Sequence, residues 1–173
     1  MIIGQVTASP ALLKEVKLLA RLSDAELLEL ISLGETKVYE PHTNIVIEGE
    51  MTWGLFIILD GMVGIFKHNK ISGDTYDVGQ IRQGSFFGEM SLVDDNPRSA
   101  SVRSLTPCQL LYISKSAFND WLSKSPERRL RFYEDCVKDL VNRLRTLDEN
   151  FVVSQYQLWQ SVLRNSLARK EYA

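Results

Sequence analysis

GLFIILDGMVGIFKHN, residues 54–69, holds two short apolar runs separated by Asp60-Gly61. GLFIIL and MVGIFK are too short for ordinary helices and rich in β-branched and aromatic residues, so they read as strands. Asp-Gly between two such runs predicts a β-hairpin turn. The same texture continues on both sides. TKVYEPHTNIVIEGE (36–50), TYDVGQIRQG (75–84) and SASVRSLTPCQLLYIS (99–114) are short, β-rich segments broken by Gly, Pro, Asn and Asp. Residues 69–74 mark a further turn. Several short strands at this spacing imply a small sandwich or barrel.

Helical periods flank this region. In PALLKEVKLLARL (10–22), Leu12, Val16, Leu19 and Leu22 fall at helical spacing. Ser23-Asp24-Ala25-Glu26 has the form of a capping box opening a second helix. Gly34 is placed to stop it. After the strands, SKSAFNDWLSKS (114–125) predicts a short helix, and Pro126 suits the first turn of the next. No Gly or Pro follows to the end of the chain. Leu130, Val137, Leu144, Phe151 and Leu158 lie seven apart, with Tyr133, Leu140 and Leu147 in the companion positions. That heptad spacing predicts a coiled-coil seam. The companion position then becomes Ser154 and Ser161, and Val152, Tyr156, Trp159 and Leu163 form a shifted stripe. A helix this long exceeds what a small barrel can cover, so homodimerisation is expected. One amphipathic helix lying on its own barrel is the alternative.

The 173 residues, 45% hydrophobic and 24% charged, fit one globular domain with a helical extension. The net charge of −2 offers no electrostatic reason for a nucleic-acid partner. No apolar run approaches a membrane span. MIIGQVTASPALLKEV (1–16) does not read as a signal peptide. Cys108 and Cys136 lack a CxxC pattern or a nearby His, which suggests two reduced thiols in a cytoplasmic protein. His42 and His68 read as surface residues, as does Arg128-Arg129-Leu130-Arg131. Trp53, Trp121 and Trp159 read as packing residues.

FFGEMSLVDDNPRSASV, residues 86–102, carries the chemistry. Gly88 permits close approach of the backbone. Glu89-Met90-Ser91-Leu92 can form one helical turn, whose free N–H groups suit a phosphate. Pro97 fixes the backbone before Arg98, which offers a bidentate fork to phosphate oxygens. Ser99 and Ser101 add small donors, and Ala100 leaves room for a ligand. A carboxylate repels phosphate, so Glu89 must face another part of the ligand, and a ribose hydroxyl suits it.

These residues resemble the phosphate-binding cassette of cyclic-nucleotide-binding domains, of the cAMP receptor protein and protein kinase A regulatory subunit type. The pattern here is Phe87-Gly88-Glu89-Met90-Ser91-Leu92, a loop over residues 93–96, then Pro97-Arg98-Ser99-Ala100-Ser101-Val102. The resemblance extends from about Leu18 to Leu147. It implies an α+β fold: an eight-stranded β jelly-roll with N-terminal helices and a long C-terminal helix. The expected divisions are helices over 1–36, the roll over 37–114 with its cassette at 84–102, and the hinge and dimerisation helix over 115–173. It implies that Glu89 binds the ribose 2′-hydroxyl and Arg98 the cyclic phosphate. Backbone amides near Gly88, Met90, Ser91 and Ala100 would complete the cradle, and Ser99 would touch phosphate or guanine. Two turns depart from the family pattern: Thr52-Trp53 stands where Gly-Asp is common, and Pro41-His42-Thr43 where Pro-x-Gly is usual.

The expected function is a non-enzymatic cyclic-nucleotide sensor, with cAMP ahead of cGMP, that transmits its signal through the C-terminal helix to a downstream protein. No cofactor, metal or catalytic residue is expected. The alternative is a dimeric interaction adaptor with a degenerate cassette. A phosphodiesterase would need metal ligands or a general base, which two isolated histidines do not supply. DNA binding would need a reading helix, and the extension is too short for a helix-turn-helix module.

Overall fold

The computed structural model describes residues 6–171, with side chains to residue 161. The described residues fall into two units, one ending at residue 133 and the other starting at residue 134.

In the first unit, eight strands form two four-stranded antiparallel sheets. The strands are β1 (Glu35–Tyr39), β2 (Asn44–Val46), β3 (Gly54–Asp60), β4 (Met62–His68), β5 (Thr75–Arg82), β6 (Phe86–Phe87), β7 (Ser101–Ser104) and β8 (Cys108–Ser114). One sheet runs β1-β8-β3-β6 and the other β2-β7-β4-β5. This is the expected jelly-roll. Val46, Phe56, Ile58, Val63, Phe87, Val102, Cys108 and Leu110 form the core between the sheets.

Asp60-Gly61 does not make the predicted hairpin. β3 pairs with β6 and β8, whereas β4 pairs with β5 and β7. The chain turns a corner at Gly61 and passes from one sheet to the other. Gly61 has φ +92°, and a Cβ there would stand 2.7 Å from Cys108 Sγ. A corner and a hairpin both need a positive-φ residue, so the local signal is the same. The turn at 69–74 does close a hairpin between β4 and β5: the Asn69 N–H donates to the Asp74 carbonyl at 2.8 Å.

β3 is buried on both faces. Phe56 and Ile58 enter the core, while Leu55, Ile57 and Leu59 are at most 1% exposed on the other side. Two helices lie against β3: α3 (Met90–Val93) and α4 (Lys115–Ser123).

The N-terminal segment is not the single helix that its spacing predicts. Instead, α1 (Pro10–Lys14) gives way to a 3-10 turn (Lys17–Leu19), with Val16 extended between them. The break turns Leu13, Val16, Leu18, Leu19 and Leu22 all inward, which no single helix face could do. α2 (Asp24–Leu33) opens with the predicted capping box: the Glu26 N–H donates to Ser23 Oγ, and the Ser23 N–H donates to Glu26 Oε2 at 2.8 Å. Gly34 ends it in extended conformation (φ −99°, ψ 168°), not left-handed. Its glycine is needed for space, since a Cβ would stand 2.6 Å from Leu111 Cδ1 and 2.9 Å from the Tyr112 carbonyl.

α5 (Pro126–Glu171) starts at the predicted proline. Its first turns are the expected solvated face only at Arg129 and Leu130, which are exposed. Arg128 is buried, with Nε 3.1 Å from Glu26 Oε1 and Nη2 3.1 Å from Glu29 Oε2. Arg131 reaches Glu26 at 2.7 Å. The carboxylates of α2 draw these arginines inward. Trp121 is 2% exposed, as a packing residue should be, and its Nε1 donates to Glu29 Oε2 at 2.9 Å.

In the second unit, Val137, Leu140, Leu144, Leu147, Phe151 and Leu158 are 42–63% exposed. Val152, Tyr156 and Trp159 are exposed as well. Leu163, the last member of the expected stripe, lies outside the residues whose side chains are described.

Candidate functional site

β6 delivers Phe87 into the roll, where it stacks on Phe56 with ring centroids 4.8 Å apart, while Phe86, paired with Ile57, is buried on the other face of the sheet. The chain then reverses at Gly88, with φ +87°. A Cβ at Gly88 would stand 2.5 Å from Arg98 Nη1 and closer still to the Gly54 carbonyl oxygen. The glycine therefore lets the cassette backbone pass directly beneath the guanidinium.

Arg98 is 6% exposed and is held by one loop and one helical turn. Its N–H donates to the Glu50 carbonyl and its own carbonyl accepts from the Gly49 N–H, both at 2.9 Å. Its Nε donates to Thr52 Oγ1 at 3.2 Å. Nη1 and Nη2 both donate to the Gly54 carbonyl at 3.2 Å, and Nη1 also to Ser91 Oγ at 3.1 Å. The Ser91 hydroxyl in turn donates to the Gly88 carbonyl at 2.7 Å. The guanidinium carbon lies 5.7 Å from the Phe56 ring centroid. Burial pulls Arg98 below its ordinary pKa, while Tyr112, Glu50 and Glu89 act in the opposite direction. Arginine remains charged even so. Thr52, Gly54 and Ser91 meet the guanidinium as neutral acceptors. An anion entering this place would put an ionised acceptor opposite the ionised donor, a stronger pairing than a carbonyl or hydroxyl makes.

Glu89 is 6% exposed at the start of α3, near enough for its charge to act on Arg98. Met90 is exposed, and Ser99 Oγ lies 3.7 Å from Met90 Sδ. Ala100 is half-buried. Ser101 Oγ accepts the Glu48 N–H at 2.9 Å. The structure thus brings Gly88, Glu89, Ser91 and Arg98 together, sets Met90 and Ser99 side by side, and ties Ser101 to the loop after β2. The acidic loop is anchored: Lys115 Nζ donates to the Asp94 carbonyl at 2.6 Å and lies 2.9 Å from Asp95 Oδ1.

A match to the family described as "Cyclic nucleotide-binding domain" covers residues 36–125, which contain the whole of this site. The chain belongs to the cyclic nucleotide-binding domain family. The cAMP-dependent protein kinase regulatory subunit of Neurospora crassa is 32% identical over 124 residues, 70% of this chain and 31% of that protein. The chain therefore spans about a third of the length of that relative. Among solved structures, a cyclic nucleotide-binding domain from Methylobacillus flagellatus aligns with a TM-score of 0.69 at 25% identity, covering 78% of this chain and 75% of that one. The catabolite activator protein of Thermus thermophilus aligns with the same TM-score at 23% identity, covering 79% of this chain and 62% of that one, and bears on the fold alone.

Both departures from the cyclic nucleotide-binding pattern have structural counterparts. His42 adopts the left-handed conformation (φ 62°), and its N–H donates to the Ser104 carbonyl at 2.7 Å. Thr52 becomes the partner of Arg98 Nε. In the sequence Thr52 stands out only as a departure, and Gly49, Glu50 and Gly54 carry no mark of their place beside Arg98. Three of these four act through main-chain atoms, which side-chain identity does not reveal.

Proposed function

We propose that this chain is a non-enzymatic cyclic-nucleotide sensor that binds cAMP, or cGMP, in the 84–102 cassette. The observation that carries the reading is the Arg98 guanidinium, buried against Gly88 and hydrogen-bonded to Thr52, Ser91 and the Gly54 carbonyl. In this reading Arg98 takes the cyclic phosphate and Glu89 the ribose 2′-hydroxyl. Amides near Gly88, Met90, Ser91 and Ala100 supply further donors, with Ser99 at the rim. Ser101 contributes by holding the loop after β2, since its hydroxyl is engaged with Glu48. The Neurospora relative, named as a cAMP-dependent regulatory subunit, supports cAMP ahead of cGMP and a regulatory role without catalysis. The chain would homodimerise through its C-terminal helix and signal to a downstream protein in the cytoplasm.

Isothermal titration of the nucleotide-stripped protein with cAMP and then cGMP tests this. Micromolar or tighter binding of one ligand is expected. Arg98→Ala, which leaves a buried phosphate unpaired, should cost about 3–5 kcal/mol, a few hundred- to a few thousand-fold in affinity. A loss of less than about tenfold would remove Arg98 from its assigned role.

A second reading is favoured by one observation, the exposed heptad positions of α5. In it, the chain is a dimeric interaction adaptor whose cassette no longer binds nucleotide. Absence of heat with either nucleotide, in a folded dimer, would select it.

A further inference from the structure

Lys67, near the end of β4, lies outside the cassette yet touches it. Phe66 pairs with Ser101 on β7, so the next residue along β4 runs beside the Ser99-Ala100 step. Lys67 Nζ donates to the Ser99 carbonyl oxygen. It also lies 2.8 Å from Glu48 Oε1, while Glu48 Oε2 accepts the His68 N–H at 2.8 Å. The Glu48 N–H donates to Ser101 Oγ at 2.9 Å. A ring of contacts therefore runs from Lys67 to Ser99, along the chain to Ser101, then through Glu48 back to Lys67.

The Ser99 carbonyl and the Ala100 N–H belong to one peptide plane. In a planar trans peptide they point in opposite directions. Fixing the carbonyl toward Lys67 fixes the Ala100 N–H away from it. An ammonium on the carbonyl also polarises the amide and makes its N–H a stronger donor. We propose that Lys67 is a positioning residue for the anion cradle: by holding the Ser99 carbonyl, it aims and strengthens the Ala100 N–H as a donor to the ligand phosphate. This rests on the cyclic-nucleotide reading of the site. The Lys67 side chain is 52% exposed, and an exposed ion pair of this kind adds little to stability. A purely structural role would therefore leave few consequences in binding.

The test compares Lys67→Met, Lys67→Arg and Arg98→Ala with the unaltered chain, using cAMP as the probe. Calorimetry should show affinity about fivefold weaker for Lys67→Met, as expected when one hydrogen bond to the ligand is weakened rather than removed. Its melting temperature without ligand should stay within about 1–2 °C of the parent. Lys67→Arg should recover most of the affinity. In amide NMR spectra, the downfield shift of the Ala100 proton on adding cAMP should shrink in Lys67→Met and return in Lys67→Arg. Unchanged affinity and an unchanged Ala100 shift in Lys67→Met would overturn the proposal, as would a loss that Arg does not rescue. If Arg98→Ala binds like the parent, or the parent itself does not bind, the site reading fails first. If Arg98→Ala abolishes binding and Lys67→Met is silent, only the role of Lys67 fails.

Discussion

A methyl group added at Gly88 would meet Arg98 Nη1 at 2.5 Å and would sit on a residue with φ +87°. Neither problem relieves the other. A left-handed non-glycine residue costs about 1–2 kcal/mol from the backbone alone. The contact must also displace either the Gly54 strand or the guanidinium. Gly88→Ala is therefore expected to lower stability in urea by at least that backbone cost and to weaken cAMP binding at least about tenfold. Normal affinity in this variant would show that the guanidinium has room to yield. Gly88 and Arg98 stand out in the sequence because one offers no side chain and the other a long charged one. Gly49, Glu50 and Gly54 do not, because they meet Arg98 through main-chain atoms placed by the fold.

Among the elements, the start of α5 is joined to α2 by a cluster that its sequence did not announce. Arg128 and Arg131 converge on Glu26, and Arg128 also meets Glu29 and stacks 4.2 Å from the Trp121 ring centroid. Burial raises the Glu26 carboxyl. The Ser23 N–H, the Arg128 and Ser23 side chains and the Arg131 charge outweigh that, so its pKa is net lowered from 4.5. A lowered folded value means that the carboxylate stabilises the fold above its unfolded pKa. That stabilisation fades as pH falls through the folded value. Glu26→Gln should thus lower the melting temperature at neutral pH, and the gap to the parent should close in acid, below about 4.5. A gap that stays constant from neutral pH to pH 3 would mean that the charge of Glu26 is not what stabilises the fold. The capping box could be read from Ser23 and Glu26 because it is local. The ion pairs could not, since their partners lie about a hundred residues apart in the chain.

At the scale of the whole molecule, α5 leaves Val137, Leu140, Leu144, Leu147, Phe151 and Leu158 exposed at heptad spacing. An exposed apolar seam of this kind is costly in water and is covered in coiled coils by a second helix. Leu144→Asp should turn a dimer into a monomer in light scattering after gel filtration, leaving the melting of the β-roll near that of the parent. A parent chain that is already monomeric at tens of micromolar would remove the seam from the account of function.

What the sequence determined by itself was set by short-range rules. Strand texture, the capping box, Pro126 at the start of α5, the heptad period and the cassette pattern all depend on residues close together in the chain. The tertiary structure alone decided which strands pair. Asp60-Gly61 served as a corner between sheets because β3 is claimed by β6 and β8, and a glycine suits a corner as well as a hairpin. It also decided that Leu13 and Leu18 turn inward together, that Arg128 is buried, and that Thr52 and Lys67 reach the cassette. Each of these depends on long-range packing, where burial and the pairing of distant polar groups override the local pattern.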